Sequence, residues 1–141
     1  MPEFPELLHV AIDARDCRAL AEFYRRLLGL VYRPGDEPPT DDHPDDAQWL
    51  VLTHEDGRRA LAFQQNAGLQ TSTWPSDEVS MQMHLDLEVD SLYELHRHRR
   101  RAEELGARLL LDRSDEPEEA VYVLADPEGH PFCLLTTSLD S

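Results

Sequence analysis

A strand followed by a helix occurs twice in this sequence, at corresponding places in its two halves. The stretch LLHVAID alternates apolar and polar residues, and the apolar stripe that follows it ends at Gly29. The stretch MHLDLEV alternates in the same way, and the stripe after it ends at Gly106. Alternation predicts a strand, and apolar residues at helical spacing before a glycine predict a helix with a left-handed end. The chain is therefore predicted to contain an internal repeat of about 75 residues.

Both halves continue with strands around a turn signal. Asp56-Gly57 is a two-residue hairpin signal inside WLVLTHEDGRRALAFQQ, and DPEG supplies the turn inside AVYVLADPEGHPFCLLT. Each half is therefore predicted to be a βαβββ module, in an α+β protein whose two mixed sheets curve together around a concave cavity. We predict a single domain, with module 1, a linker and module 2 at about residues 7–65, 66–80 and 81–137.

The acidity of the chain argues against nucleic acid as a partner. The formal net charge is -16, and proteins that bind nucleic acids gain most of their binding free energy from neutralising phosphates with Lys and Arg. The basic run HRHRRR at residues 96–101 lies in a helical pattern and is interpreted as a solvated helix face. No apolar run reaches the roughly 18 residues that span a bilayer, so we expect no membrane partner.

The cysteines and the first residues indicate a reduced, cytoplasmic protein. Cys17 and Cys133 are the two cysteines, and they form no CxxC pair. The stretch MPEFPELLHV has neither the basic flank nor the apolar run of a secretory signal. We therefore expect a fold that is stable without crosslinks.

Two histidines open the two halves at matching positions. Alternation places His9 and His84 on the strand faces that point away from the helices. In the closing strands Gln64 and Cys133 each follow a phenylalanine, which puts them on the face opposite that phenylalanine. The four side chains predict either a divalent metal site or a metal-free cleft in which the imidazoles donate hydrogen bonds.

The roles of Asp86 and Cys133 have alternatives. Asp86 shares a face with His84, where it is a candidate base or a hydrogen-bond acceptor for an imidazole N–H, and an ion pair with Arg58 or Arg59 is the other interpretation. Cys133 is a candidate nucleophile beside a histidine, or a small apolar residue that lines the cavity.

Three aromatic residues and one acidic segment complete the candidate site. Trp49, Trp74 and Tyr122 are candidates to line the cavity around a planar substrate, with packing in the core or at a subunit interface as the alternative. Residues 34–48, rich in Pro and Asp, predict an exposed, mobile loop. Such a loop acts either as a lid or as a tolerated surface insertion.

Three stretches carry a resemblance to a known superfamily. HVAIDARDCRALAEFYRRLLGL, HLDLEVDSLYEL with LGA, and DPEGHPFCLL together resemble the vicinal oxygen chelate superfamily. That superfamily includes glyoxalase I, extradiol dioxygenases, fosfomycin-modifying enzymes and bleomycin-resistance proteins. The resemblance implies a cup of paired modules, a homodimer and a divalent metal. Neutral imidazole ligands suit Zn, Ni, Mn or Fe. By motif, the metal positions are His9, Gln64 and His84, with Cys133 at the fourth.

The chain departs from the superfamily pattern at the two closing-strand positions. Metal-dependent relatives commonly carry Glu there, whereas this chain has Gln64 and Cys133. Two functions therefore stay open for a small-molecule ligand. One is a divalent-metal-dependent lyase, isomerase or dioxygenase acting on an oxygenated substrate; the other is a protein without a cofactor that sequesters an antibiotic or metabolite, as bleomycin-resistance proteins do. Whether the chain is an enzyme is left open with them.

Overall fold

The computed structural model describes residues 3–40 and 42–139. The chain divides into two compact units, and the boundary between them lies between Leu69 and Gln70. This boundary falls inside the linker predicted at residues 66–80. Among the described residues, neither helix has the length and apolar character needed to cross a bilayer.

The first unit is a four-stranded sheet with one helix. Its elements are β1 (Val10–Ala14), α1 (Cys17–Leu28), β2 (Val31–Tyr32), β3 (Trp49–Thr53) and β4 (Arg59–Gln65). The strand order is β1-β4-β3-β2, in which β1 pairs with β4 in parallel and the other neighbours are antiparallel. The first strand of the unit therefore lies beside the last one.

The second unit repeats this topology. Its elements are β5 (Leu85–Glu88), α2 (Leu92–Glu104), β6 (Arg108–Arg113), β7 (Ala120–Ala125) and β8 (Pro131–Thr136). The strand order is β5-β8-β7-β6, with β5 and β8 parallel. The predicted α+β class and the two βαβββ modules are confirmed.

Both helices begin at a residue whose side chain caps the first turn. The side chain of Asp16 accepts a hydrogen bond from the Ala19 N–H at the start of α1, and Ser91 accepts one from the Glu94 N–H at the start of α2. The end of α1 is the left-handed Gly29, as predicted. The C-cap of α2 is instead a right-handed leucine, directly before Gly106.

Each helix covers one face of its sheet with apolar side chains. In the first unit Tyr24 of α1 stacks on Phe63 of β4, with ring centroids 5.9 Å apart. In the second unit Leu95 of α2 and Phe132 of β8 are both fully buried. Because neighbouring strand residues point to opposite faces, the residues before and after these phenylalanines lie on the faces turned away from the helices. We call these the His9 face of the first sheet and the Cys133 face of the second.

The acidic loop is mostly exposed at residues 34–40 and 42–48, and both of its ends are attached to the first unit. Arg18 of α1 reaches it with Nε 2.6 Å from Asp45 Oδ2 and with Nη1 2.6 Å from the Asp36 carbonyl oxygen. The Asp36 carboxylate accepts a hydrogen bond from the Val51 N–H at 2.9 Å. The exposure agrees with the prediction, and the contacts show that α1 and β3 hold the ends of the loop.

Candidate functional site

A histidine, an aspartate and a cysteine meet on the Cys133 face of the second unit. The parallel register of β5 and β8 puts Asp86 directly beside Cys133, and His84 precedes Asp86 by two residues on the same face. The ligand atoms of the three side chains all lie within 4.8 Å of one another. The Nε2 atom of His84 is 3.1 Å from Asp86 Oδ1. The cluster therefore offers one nitrogen, one oxygen and one sulfur donor.

The cysteine of this cluster is a neutral thiol. Burial and the adjacent Asp86 carboxylate raise the pKa of Cys133 to about 11. Because only the thiolate is a strong nucleophile, this environment does not support Cys133 as a nucleophile in the free protein. A bound dication would stabilise the thiolate and reverse the effect of the carboxylate. The side chains of His84 and Asp86 are 37% and 58% exposed, so a ligand reaches them from solvent.

We expect Asp86→Asn to make Cys133 more reactive in the metal-free protein. Loss of the carboxylate removes the hydrogen bond and the negative charge that, after burial, raise the pKa of Cys133. Below that pKa, labelling becomes about tenfold faster for each unit by which the pKa falls. The measurement is the pH dependence of the labelling rate with a thiol reagent, in EDTA and in a Cys17→Ala background.

The matched control is Glu88→Gln, which removes a carboxylate from the same strand and the same face. Glu88 lies opposite Leu135 and not opposite the cysteine. Equal labelling rates in Asp86→Asn and Glu88→Gln would contradict the role of Asp86, since a general change in net charge would then explain both.

In the first unit His9 lies beside an aromatic ring and two arginines. Its ring centroid is 5.8 Å from that of Trp49, which is 37% exposed. Burial, and then the positive charges of Arg59 and Arg33, lower the pKa of His9. The Nδ1 atom of His9 is buried and makes no hydrogen bond with any residue that the structure describes. The imidazole is therefore held neutral, without the partner that usually orients a metal-bound histidine.

The strand registers of the two units bear on which residue of the first unit corresponds to Cys133. Ala11, two residues after His9, lies opposite Ala62. In the second unit the residue two places after His84 lies opposite Cys133. If the two histidines correspond, the counterpart of Cys133 is therefore Ala62, whose methyl group offers no ligand atom.

Gln64 lies two residues beyond Ala62 on the same face, where it is exposed and sits opposite Asp13. The sequence suggested a different alignment because both Gln64 and Cys133 follow a phenylalanine. Phe63 lies opposite the third residue of β1, whereas Phe132 lies opposite the first residue of β5. Strand pairing, which local sequence does not encode, sets this difference.

The other two aromatic candidates lie elsewhere in the second unit. Tyr122 is buried on the α2 side of the sheet, where its hydroxyl is 2.7 Å from His96 Nδ1 and the Arg99 guanidinium lies 4.9 Å from its ring centre. This position agrees with the interpretation of Tyr122 as a residue that packs in the core. Trp74 is half-buried, and its backbone N–H donates to the Ser72 hydroxyl.

Comparison with known proteins places this architecture in a family. The sequence model of the Glyoxalase-like domain matches residues 9–135. None of the curated protein sequences compared with the chain matches it.

Solved structures share the fold at low sequence identity. A glyoxalase/bleomycin resistance protein/dioxygenase family enzyme from Burkholderia phytofirmans PsJN has a TM-score of 0.70 at 20% identity, over 94% of this chain and 99% of its own. A mutant of the fosfomycin resistance protein FosX from Listeria monocytogenes, complexed with Mn(II) and 1S,2S-dihydroxypropylphosphonic acid, has a TM-score of 0.67 at 15% identity, over 96% and 94%. A glyoxylase/bleomycin resistance protein/dioxygenase domain from Frankia sp. EAN1pec has a TM-score of 0.64 at 15% identity, over 96% of this chain and 93% of its own. These likenesses establish the fold.

Proposed function

Because the chain belongs to the glyoxalase-like domain family, we propose that it binds a divalent metal ion through His84, Asp86 and Cys133 and acts on an oxygenated small molecule. The observation that carries this proposal is the convergence of three ligand atoms of different chemical kinds within 4.8 Å. The FosX structure contains Mn(II), which supports the idea that this fold accommodates a divalent ion.

The donor set fits a divalent metal. Imidazole and thiolate suit Zn and Fe, and the Asp86 carboxylate supplies the negative charge that the two closing-strand positions lack. Three protein ligands leave coordination positions for water and substrate. Among the ions that the sequence resemblance implies, this donor set favours Zn or Fe over Ni or Mn.

The proposed reaction class is proton transfer next to an oxygenated carbon, as in a lyase or isomerase. A metal held here would supply Lewis acidity to a substrate oxygen. Asp86 is the group that takes up the proton at a carboxylate oxygen, and in the metal-free structure its Oδ1 atom lies 3.1 Å from His84 Nε2. The raised pKa keeps Cys133 protonated until a dication is bound, so the thiol does not compete as a nucleophile.

The test is metal binding by the purified, untagged protein. We expect about one ion per chain after EDTA treatment and reloading, measured by elemental analysis and by titration with Zn, Ni, Mn and Fe. His84→Ala and Cys133→Ala should each weaken binding by about 100-fold or more, because each removes one of three protein ligands. His54→Ala, which changes an exposed histidine in the hairpin turn, is the control.

Two further variants test the ligands predicted from sequence. If His9 and Gln64 are also ligands, His9→Ala and Gln64→Ala will weaken binding as strongly as His84→Ala. If the second unit alone holds the ion, both variants will bind like the unmodified protein. No binding of any of the four metals would contradict the proposed function.

A metal-free binding protein is the second candidate, and Ala62 favours it. If the two histidines correspond, the first-unit counterpart of Cys133 is an alanine without a ligand atom, and the Cys133 thiol is uncharged in the free protein. Such a protein would sequester an antibiotic or metabolite, and the net charge of -16 favours a cationic one. Thermal shifts with a ligand panel in EDTA, weakened by salt, would support this function. The predicted homodimer and cytoplasmic location are parts of either proposal, and sedimentation checks the first of them.

A further inference from the structure

A β-bulge in the first unit turns an arginine onto the His9 face. Leu52 lies opposite Leu61, and the next residue of β3, Thr53, lies opposite Arg59. Ala60 is therefore the extra residue of β4. A bulge of this kind re-aims the side chains that follow it, so Arg59 shares the face of Thr53. The lowering of the His9 pKa by the Arg59 charge agrees with this placement.

Arg59 is half-buried, and its guanidinium has no carboxylate partner in the part of the chain that the structure describes. Within residues 3–40 and 42–139 it makes no hydrogen bond and no salt bridge, although acidic residues outnumber basic ones by 29 to 13 in the chain. The neighbouring Arg33 is paired with Asp36 at 3.1 Å. Asp13, on the same face, accepts a hydrogen bond from Asn66 Nδ2 at 2.9 Å. The positive charge of Arg59 is therefore available to a ligand.

His9 provides a second unsatisfied group next to this charge. Its buried Nδ1 atom lacks a hydrogen-bond partner among the described residues, and a buried polar atom without a partner costs about 1–3 kcal/mol unless a ligand or water satisfies it. Trp49, ring to ring with His9 at 5.8 Å, adds a partly exposed apolar surface. A cation, an unsatisfied imidazole and an indole thus lie on one sheet face.

We propose that the His9 face of the first unit is an oxyanion-binding site, where Arg59 and His9 hold the carboxylate or phosphate group of a small molecule whose ring lies against Trp49. Guanidinium binds both kinds of oxyanion through two parallel N–H donors. Exposed indole offers a stacking surface to a planar ring. The site uses residues of the first unit alone, so it stands independently of the proposed metal centre.

The test measures binding of benzoate, phenyl phosphate and inorganic phosphate to the metal-free protein in EDTA by calorimetry. Benzylammonium, which has the same ring and the opposite charge, is the ligand control. We expect benzoate or phenyl phosphate to bind and benzylammonium not to compete with it. Inorganic phosphate should bind more weakly than phenyl phosphate, because it lacks the ring that contacts Trp49. The comparison of benzoate with phenyl phosphate shows which oxyanion the site prefers.

Arg59→Gln should weaken binding of the preferred ring-bearing probe at least tenfold. Arg58→Gln removes the same charge from an exposed side chain one residue away and should change binding less than twofold. Arg59→Lys keeps the charge without the two parallel donors, so it should weaken binding by less than Arg59→Gln and by more than Arg58→Gln. This variant keeps the proposal testable if Arg59→Gln misfolds. Equal weakening by Arg58→Gln and Arg59→Gln would overturn the proposal, and so would the absence of binding by every oxyanion. Cys133→Ala should leave this binding unchanged, which separates the proposal from the metal site.

Discussion

Replacing Gly129 by alanine is expected to lower the free energy of unfolding by about 3–5 kcal/mol. Gly129 has φ 93, a conformation that L side chains rarely adopt. A Cβ atom added there would lie 2.1 Å from Thr71 Cγ2, with the Thr71 Cβ and Oγ1 atoms at 3.1 and 3.3 Å. The Thr71 side chain, the turn or the linker segment therefore has to move, because even the Thr71 Cβ atom lies closer than an ordinary van der Waals contact. Urea unfolding followed by circular dichroism measures the loss.

Gly57→Ala is the matched control for this substitution. Gly57 has φ 89 in the hairpin of the first unit, and a Cβ atom there would meet nothing within 4 Å. Its replacement therefore reports the backbone cost alone, about 1–2 kcal/mol. Combining Gly129→Ala with Thr71→Ala should recover most of the difference between the two single variants. If Gly129→Ala is no more harmful than Gly57→Ala, the packing of Thr71 on this turn is contradicted.

Arg18→Gln is expected to destabilise the first unit by about 2 kcal/mol and to release the acidic loop. The guanidinium is hydrogen-bonded to the Asp45 carboxylate and to the carbonyl oxygens of Asp36 and Glu37. Its side chain is 17% exposed, so solvent screens the ion pair less than it screens a fully exposed one. Hydrogen exchange should become faster across the loop at residues 34–48, while exchange in β8 stays as it was.

Two neighbouring aspartates provide the control for this prediction. Asp45→Asn removes the carboxylate that Arg18 contacts, whereas Asp46→Asn changes an exposed residue beside it. The hydrogen bond with Arg18 lowers the pKa of Asp45, so the pair stabilises the fold above the pKa of the unfolded carboxyl and loses that effect as pH falls through the folded pKa. The difference between the two variants should therefore shrink below about pH 4. A difference that persists at pH 2 would argue against the ion pair.

Local sequence signals were sufficient for the elements and for the repeat. Ser91 and Glu94 have the spacing of a capping box at the start of α2, and Asp56-Gly57 predicts the hairpin before β4, because capping and turn chemistry depend on residues that are close in the chain. The face of each strand followed from alternation. For that reason His84 and Asp86 were correctly assigned to one face.

The candidate site depends on pairing between strands that are distant in sequence. That Asp86 lies directly beside Cys133 follows from the parallel register of β5 and β8, which no local pattern specifies. Whether Gln64 is the counterpart of Cys133 depends on the register of β1 and β4 in the same way. For Arg59 the sequence indicates only an ion-pair partner, since the bulge that turns it toward His9 follows from the pairing of β3 with β4.

The parallel pairing of first and last strands has a consequence for biosynthesis. In each module the first strand pairs with a strand about fifty residues further along the polypeptide. Formation of this pair therefore requires closure of a long loop. A ribosome releases β4 well before it reaches β8. The N-terminal module is thus able to close during translation while the C-terminal one is still being made, and each half of the duplication acquires its sheet in a separate step.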